Sequence, residues 1–530
     1  MQASKGFAGM GLDLKSISLA MAFAAVLTPA LAREAPRLAE VSPVAAGAAA
    51  PLPAEAAALR GLLAAWQEGA SDEDRNELAA ARAYYEGRAW APVWTSAQGV
   101  SAKAAALLDE LDRADDWGLS RRDFPTPAAA IVKGGDTSPA ALAAAEAEIT
   151  FTALRYGRFA RGGRIINPAE QLSSYLDRRP QLVRPAAIID GLAAAEDAGA
   201  YLRGLHPQHP QFEKLRQRYL AAVAGKGSAH ALEARKLLAN LEQWRWMPAD
   251  MGAVYIWNNL PEFLQRVVVD GEVARTERIV AGELSKQTPV FSRPLRRLTF
   301  KPTWIVPDSI KVKELWPSLL KDGRLMREWA LEITTKDGKP VDWRKLDWAK
   351  TDIREYEVIQ PNGPKSVMGK FKFSFPNQHT VFMHDTLPRD KYMFNVAQRT
   401  YSHGCIRVKN PMQLAELILK ADKGWDAEQT RQVFDTTPLN HTIEMERRVM
   451  VHTTYFTAMV DEHDKLHTFR DVYGHEKRIA LALEGKWKEI RKGRDHLAPV
   501  ELDLSAAEKI KGEEDRKKGA SDFFTSLFGG

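Results

Sequence analysis

Hydrophobic spacing changes character near residue 250, and this change limits the folds open to the chain. Before it, apolar residues recur at helical steps. Leu59, Leu62, Leu63 and Trp66 share one helical face, as do Ala104, Leu107, Leu108 and Leu111, and later Leu215, Tyr219 and Ala222. After it, short extended runs dominate. Residues 254–257 (VYIW) read as a strand, and residues 263–269 and 272–280 flank Asp270-Gly271, a strong hairpin signal. Residues 298–300, 303–306 and 380–383 look extended, and 371–375 (FKFSF) alternate. The predicted fold is α+β: a helical N-terminal scaffold domain followed by a β-rich, β-sandwich-like domain.

The expected organisation follows from these shifts. Residues 1–32 read as a cleavable secretory signal, because Lys5 and Lys15 precede an apolar run, 17–27, that ends at Ala30-Leu31-Ala32. That run is shorter than the roughly 20 apolar residues of a membrane span. Residues 33–56, rich in Ala and Pro, read as a linker. The helical scaffold is expected over 57–245 and the β-rich domain over 250–435. Helical and charged segments at 311–320 and 325–330 mark 308–350 as an insertion, a candidate lid. Asn410-Pro411 is expected to cap a helix over 412–420, with Pro at its first position. Residues 449–460 return to strand, within a C-terminal β extension (436–490) packing on the preceding domain. A charged tail, 491–530, closes on an aromatic run that includes Phe523, Phe524 and Phe528. It reads as a frayed helix or as a docking tip.

Composition narrows the function classes. The net charge of +6 is small for 530 residues, and no dense Lys/Arg stripe argues for nucleic acid. The helical stripes read as core, and nothing in the residues points to a cofactor. His463 and His467 are four apart but lack the His-Glu-x-x-His pattern of a metallopeptidase. They flank Asp464-Lys465, a turn between strands, and read as exposed turn histidines.

One cysteine, Cys405, serves the whole chain, so an intrachain disulfide is excluded. An exported chain meets oxidising conditions, where a lone Cys is either a reactive thiol or a small buried hydrophobe. It lies in Ser402-His403-Gly404-Cys405-Ile406-Arg407. A neighbouring base turns a thiol into a nucleophile. His403, two residues before, could face the same way on an extended segment, and His384 ends the expected strand 380–383. Gly404 lets the backbone approach a substrate closely, and the amides of His403, Gly404 and Cys405 could form an oxyanion nest. The order, His then Cys and late in the chain, differs from that of papain-like proteases.

The hexapeptide with its upstream His384 resembles the signature of YkuD-type L,D-transpeptidases, in the branch that contains YcbB-like murein enzymes. Segments 240–248 (NLEQWRWMP), 288–292 (TPVFS), 368–377 (MGKFKFSFPN) and 455–461 (YFTAMVD) resemble the same branch, as do 90–94 (WAPVW) and 206–210 (HPQHP) upstream. The resemblance implies that Cys405 is the nucleophile, His384 the general base and acid, and the Asp385 carbonyl the group that orients His384. It implies an oxyanion site at the amides of His403, Gly404 and Cys405, with Arg407 and Ser402 near substrate. For Arg407, binding a substrate carboxylate and bracing the loop are equal readings. The implied partner is the peptidoglycan stem peptide, with a second stem or a protein as acceptor, in the periplasm and without cofactor or metal. A hydrolase using the same thiol and a non-catalytic wall-binding scaffold are the competing readings. One departure concerns binding. Members of this branch often carry a small peptidoglycan-binding helical module, and the short bridge 225–231 leaves no room for it.

Overall fold

The computed structural model describes residues 52–505, apart from 69, 128–130 and 132–134. The expected signal segment, nearly all of the linker and the end of the tail therefore lie outside the described residues. The described residues from Pro53 onward belong to one compact unit. No helix of the described residues is long and apolar enough to cross a membrane.

The N-terminal half is helical, as the spacing requires. Its axis is the 24-residue helix Pro139–Gly162, with Ser138 accepting the Ala141 amide and Pro139 in the first turn. Leu107, Leu111, Phe124, Leu154 and Tyr156 are among the residues that build its core. Helices Pro210–Ala224 and Ser228–Arg245 then follow each other across three residues, with Gly227 at φ 96° turning the chain between them. No folded module fits between them. The second helix runs straight onto the sheet: Trp244 stacks on Phe456 at 4.5 Å, and Trp246 joins the sheet's own core.

The β-rich half is one curled sheet of eleven strands among the described residues. In chain order these are β1 (Val254–Asn259), β2 (Leu264–Val269), β3 (Glu272–Gly282), β4 (Phe291–Pro294), β5 (Arg297–Phe300) and β6 (Phe371–Ser374). They continue as β7 (Met383–His384), β8 (Thr400–Ser402), β9 (Ile406–Val408), β10 (His441–Glu444) and β11 (Met450–Thr454). The spatial order is β10-β5-β6-β7-β9-β3-β2-β1-β11-β4, with β8 pairing β3. Asp270 and Gly271, at φ 49° and 87°, form the two-residue turn of the β2–β3 hairpin, whose closing pair is Val269 and Glu272. Residues 436–490 contribute β10 and β11 to the sheet itself, β11 lying parallel to β1 and antiparallel to β4. Those two strands belong to the sheet itself, whereas Ala458–Val460 and Leu466–Thr468, in the C-terminal β extension expected to pack on the preceding domain, form a separate two-stranded sheet.

Two local expectations need correction. Thr380 adopts φ 54°, which ends extended structure, so the expected strand 380–383 shrinks to β7, with His384 inside it. Helix Pro411–Lys423 starts as expected with Pro, but Asn410 is left-handed and makes no side-chain cap. Its amide group instead donates to Glu277 Oε2 at 2.7 Å.

The expected insertion is a small body of its own. A helical run covers Asp308–Ile310, Lys311–Leu315, Trp316–Lys321 and Arg324–Glu328. It packs on a four-stranded sheet that begins at Trp304–Ile305 and ends at Glu357–Gln360. Its separate core includes Trp316, Leu315, Ile353 and Val358.

Candidate active site

The centre of the sheet places the chemistry. β7 lies between β6 and β9. It pairs antiparallel with β6, Lys372 opposite His384 and Phe373 opposite Met383. It pairs parallel with β9, Met383 opposite Ile406 and His384 opposite Arg407. Paired residues project from the same face of a sheet, and neighbours along a strand project from opposite faces. Phe373, Met383 and Ile406 therefore point together into the core, where all are fully buried. The opposite face carries Lys372, His384 and Arg407 in one row. Phe382 and Cys405, each one residue before the pair Met383–Ile406, continue that face. The Ile406 amide donates to the Phe382 carbonyl at 3.1 Å, which fixes this level.

Burial dominates the electrostatics here. It pushes the Cys405 thiol up to about 11, against the pull of the Phe382 backbone, Lys372 and Arg407. It pushes His384 down to about 3, with the Arg407 and Lys372 charges adding to the effect. The resting pair is thus a neutral thiol and a neutral imidazole, which is the protonation state of a base ready to accept a proton. The Asp385 backbone favours the protonated ring, but no hydrogen bond is closed to His384 Nδ1. Phe382 packs edge-on against the His384 ring at 5.7 Å.

The loop before the cysteine is braced from inside. Ser402 Oγ donates to the Cys405 carbonyl at 2.5 Å and accepts the Gly404 amide at 3.1 Å. Ser402 is buried, and both of these bonds of its hydroxyl are internal to the loop. Thr288 Oγ1 donates to the Gly404 carbonyl at 2.8 Å, and Gly404 adopts φ 112°. With the Gly404 amide engaged, the amides of His403 and Cys405 are the two that have no partner among the described residues. His403 does not share the Cys405 face as a second base. Its ring is exposed, and its Nε2 meets Glu314 Oε1 of the insertion at 2.8 Å. Arg407 is turned to internal partners, Thr386 Oγ1 at 3.4 Å and Asp390 Oδ2 at 3.8 Å. That geometry favours the bracing role over a carboxylate seat.

Lys372 and Glu314 belong to this site and were missed in the sequence. The alternation of FKFSF shows that Lys372 avoids the phenylalanine face, but not what stands across from it. Nothing local marks Glu314. Of the two histidines expected in an exposed turn, His463 is exposed there, but His467 is half-buried in the strand Leu466–Thr468, where it bonds the Asp461 carboxylate at 2.7 Å.

Parts of this chain are similar to known families and proteins. Residues 253–433 match the family model described as the L,D-transpeptidase catalytic domain (YkuD), and residues 79–218 match that described as the Scaffold domain. A Haemophilus influenzae protein named "Putative L,D-transpeptidase" is 28% identical over 260 residues, 49% of this chain and 51% of the relative. The match thus spans about half the relative's length. Among solved structures, an L,D-transpeptidase from Mycobacterium smegmatis is 12% identical, with 38% of this chain and 58% of that one covered and a TM-score of 0.18. L,D-transpeptidase 3 from Mycobacterium tuberculosis is also 12% identical, with coverage of 38% and 61% and a TM-score of 0.19. This chain is thus similar over residues 253–433 to L,D-transpeptidase catalytic domains of the YkuD family, and over residues 79–218 to the Scaffold domain.

Proposed function

We propose that this protein is a cysteine-dependent peptidoglycan L,D-transpeptidase. The observation that carries the reading is the register Met383–Ile406, which sets Cys405 and His384 on one face of the sheet. Cys405 attacks the carbonyl of the diamino acid at the third position of a donor tetrapeptide stem. Its proton passes to His384 and then to the amine of the departing D-Ala. The amides of His403 and Cys405 hold the tetrahedral oxyanion. The thioester is resolved by an acceptor amine, of a second stem or of a protein, which gives the crosslink. Water in place of that amine gives a carboxypeptidase product. The reading includes export through residues 1–32 and action in the periplasm.

The test is incubation of the purified protein with defined tetrapeptide muropeptides, followed by mass spectrometry of the products. Crosslinked dimer with release of D-Ala is expected, together with complete loss in Cys405→Ala. Turnover retained by that variant refutes the nucleophile assignment. Release of D-Ala without dimer, in the presence of an acceptor stem, makes the protein a hydrolase. Carbapenems are expected to add to Cys405, seen as a mass gain on the intact protein that Cys405→Ala lacks.

A further inference from the structure

Three cations stand close to the Cys405 face, and two of them are already committed. Arg407 faces Asp390 at 3.8 Å. Lys286 Nζ meets Glu314 Oε1 at 2.8 Å. Lys372 is different. It is half-buried, and among the described residues it makes no ion pair or hydrogen bond to a carboxylate. Its register partner is His384, yet its ammonium sits 4.5 Å from the centre of the Phe382 ring, the side chain level with Cys405. The Lys372 chain therefore leans along the sheet towards the cysteine's level. A desolvated ammonium without a counter-charge is costly, and the cost falls when an anion forms beside it.

We propose that Lys372 is the counter-charge of the ionised Cys405 sulfur, holding the thiolate that attacks the donor. This rests on the reading of Cys405 as the nucleophile and extends it to a residue that never exchanges a proton with the thiol. The assignment fits the surroundings on every side. From β7, His384 is kept neutral by burial and cannot supply a standing positive charge. From β9, Arg407 shares its charge with Asp390, and Tyr392 lies on the same short helical turn, Pro388–Asn395. From β5, Arg297 is drawn away to Glu444 at 2.7 Å. On the loop side, His403 and Lys286 converge on Glu314. The Asp385 carboxylate turns back to the Lys370 amide at 2.9 Å. The Cys405 sulfur and Lys372 also feel each other directly, since each charge favours the other.

The experiment uses the single cysteine as its own reporter. Wild type, Lys372→Met and Lys372→Arg are alkylated with neutral iodoacetamide across pH 6 to 10, and the rate is read from the mass gain on the intact protein. Thiolate displaces iodide, so the rate follows the ionised fraction of Cys405. Lys372→Met is expected to move the profile up by about one pH unit, about a tenfold slower reaction at a fixed pH below the midpoint. Lys372→Arg is expected to restore most of that rate. An unmoved profile in Lys372→Met overturns the proposal, and so does an equal loss in the Arg variant, which marks a packing role. A parallel series with iodoacetate separates a second use of the ammonium. If Lys372→Met slows only the anionic reagent, Lys372 is a seat for a substrate carboxylate and the proposal fails. None of these readouts needs transpeptidation. Failure of the nucleophile reading shows separately, as turnover by Cys405→Ala.

Discussion

Glu314, from the inserted body, bonds His403 of the cysteine loop through its Oε1 at 2.8 Å, and the same oxygen meets Lys286 Nζ at 2.8 Å. Burial alone would raise this carboxyl. The bonds from His403 and Lys286 instead hold it down at about 2, so it is ionised at neutral pH. One carboxylate thus ties the insertion to both sides of the site: β8–β9 through His403, and the turn after β3 through Lys286.

If this tether keeps water from the thioester, loosening it shifts the fate of the acyl group. A charge-assisted bond contributes about 1.5–3 kcal/mol. His403 is exposed, so about 1 kcal/mol is the realistic scale, or roughly fivefold in a ratio of rates. Glu314→Ala is expected to raise hydrolysis over transfer by about that factor, and Glu314→Gln by less, since it keeps an acceptor. The measurement is the ratio of D-Ala released to dimer formed at fixed acceptor concentration. An unchanged ratio in Glu314→Ala removes the tether from the mechanism.

The loop itself offers a sharper contrast between stability and activity. Gly404 has φ 112°, and a Cβ added there would meet nothing closer than the Gln287 carbonyl at 3.5 Å. Gly404→Ala therefore strains the backbone without a clash, at a cost of roughly 1–3 kcal/mol. Relief of that strain would turn the amides of His403 and Cys405 away from their present directions. The expected outcome is a fall in kcat of tenfold or more with a Tm loss of only a few degrees. Equal losses in stability and activity would show that the amide directions do not matter.

Acid sensitivity follows from the buried histidines. Burial pushes His384 and His475 down to about 3 and His209 and His452 to about 4. His452 shows why: its ring is fully buried and fixed between Ser292 Oγ at 2.8 Å and the Met251 carbonyl at 2.9 Å. Between the unfolded value near 6.5 and these folded values, the unfolded chain binds more protons than the folded one. Stability is therefore fully present above about pH 6.5 and is lost as pH falls towards 4 and below. Each such group contributes a slope of up to about 1.4 kcal/mol per pH unit within that window. Thermal melts from pH 8 to 4 are expected to be flat above 6.5 and to fall steeply below 6. A flat profile down to pH 5 contradicts the burial of these rings in solution.

What the sequence revealed depended on how local each signal was. The Asp270-Gly271 hairpin was legible because two adjacent residues set both the turn and the register around it. Cys405 and His384 were legible as a pair because their types and spacing are unusual. The face that they share was not, since it depends on a parallel pairing of β7 with β9 across a separate turn. Lys372 escaped notice for the same reason: its partner across the sheet is a tertiary fact. Ser402 was assigned to substrate because it lies in the signature, yet its hydroxyl closes the loop on itself. Asn410 looked like a cap by type alone, but Glu277 on a neighbouring strand competes for its side chain.

The junction between the helical half and the sheet carries the last prediction. Glu242 and Arg245 are both almost fully buried. Glu242 Oε1 accepts the amides of Arg164 and Ile165 at 2.6 and 2.8 Å, and its Oε2 lies 3.9 Å from Arg245 Nη1. Arg245 in turn donates to the Trp117 carbonyl at 2.5 Å and lies over the Phe212 ring. Burial raises the Glu242 carboxyl and lowers the Arg245 guanidinium, while each charge supports the other. Removing only the acid leaves the buried Arg245 cation without its counter-charge and the amides of Arg164 and Ile165 without their acceptor. Glu242→Ala is therefore expected to cost about 3–5 kcal/mol. Glu242→Gln keeps an acceptor for the amides and should cost less. Replacing both residues, Glu242→Leu with Arg245→Leu, should recover part of the loss, because no unpaired charge remains. Denaturant melts of the three variants test this order. If the double variant is no more stable than Glu242→Ala, the pair acts through packing rather than through charge.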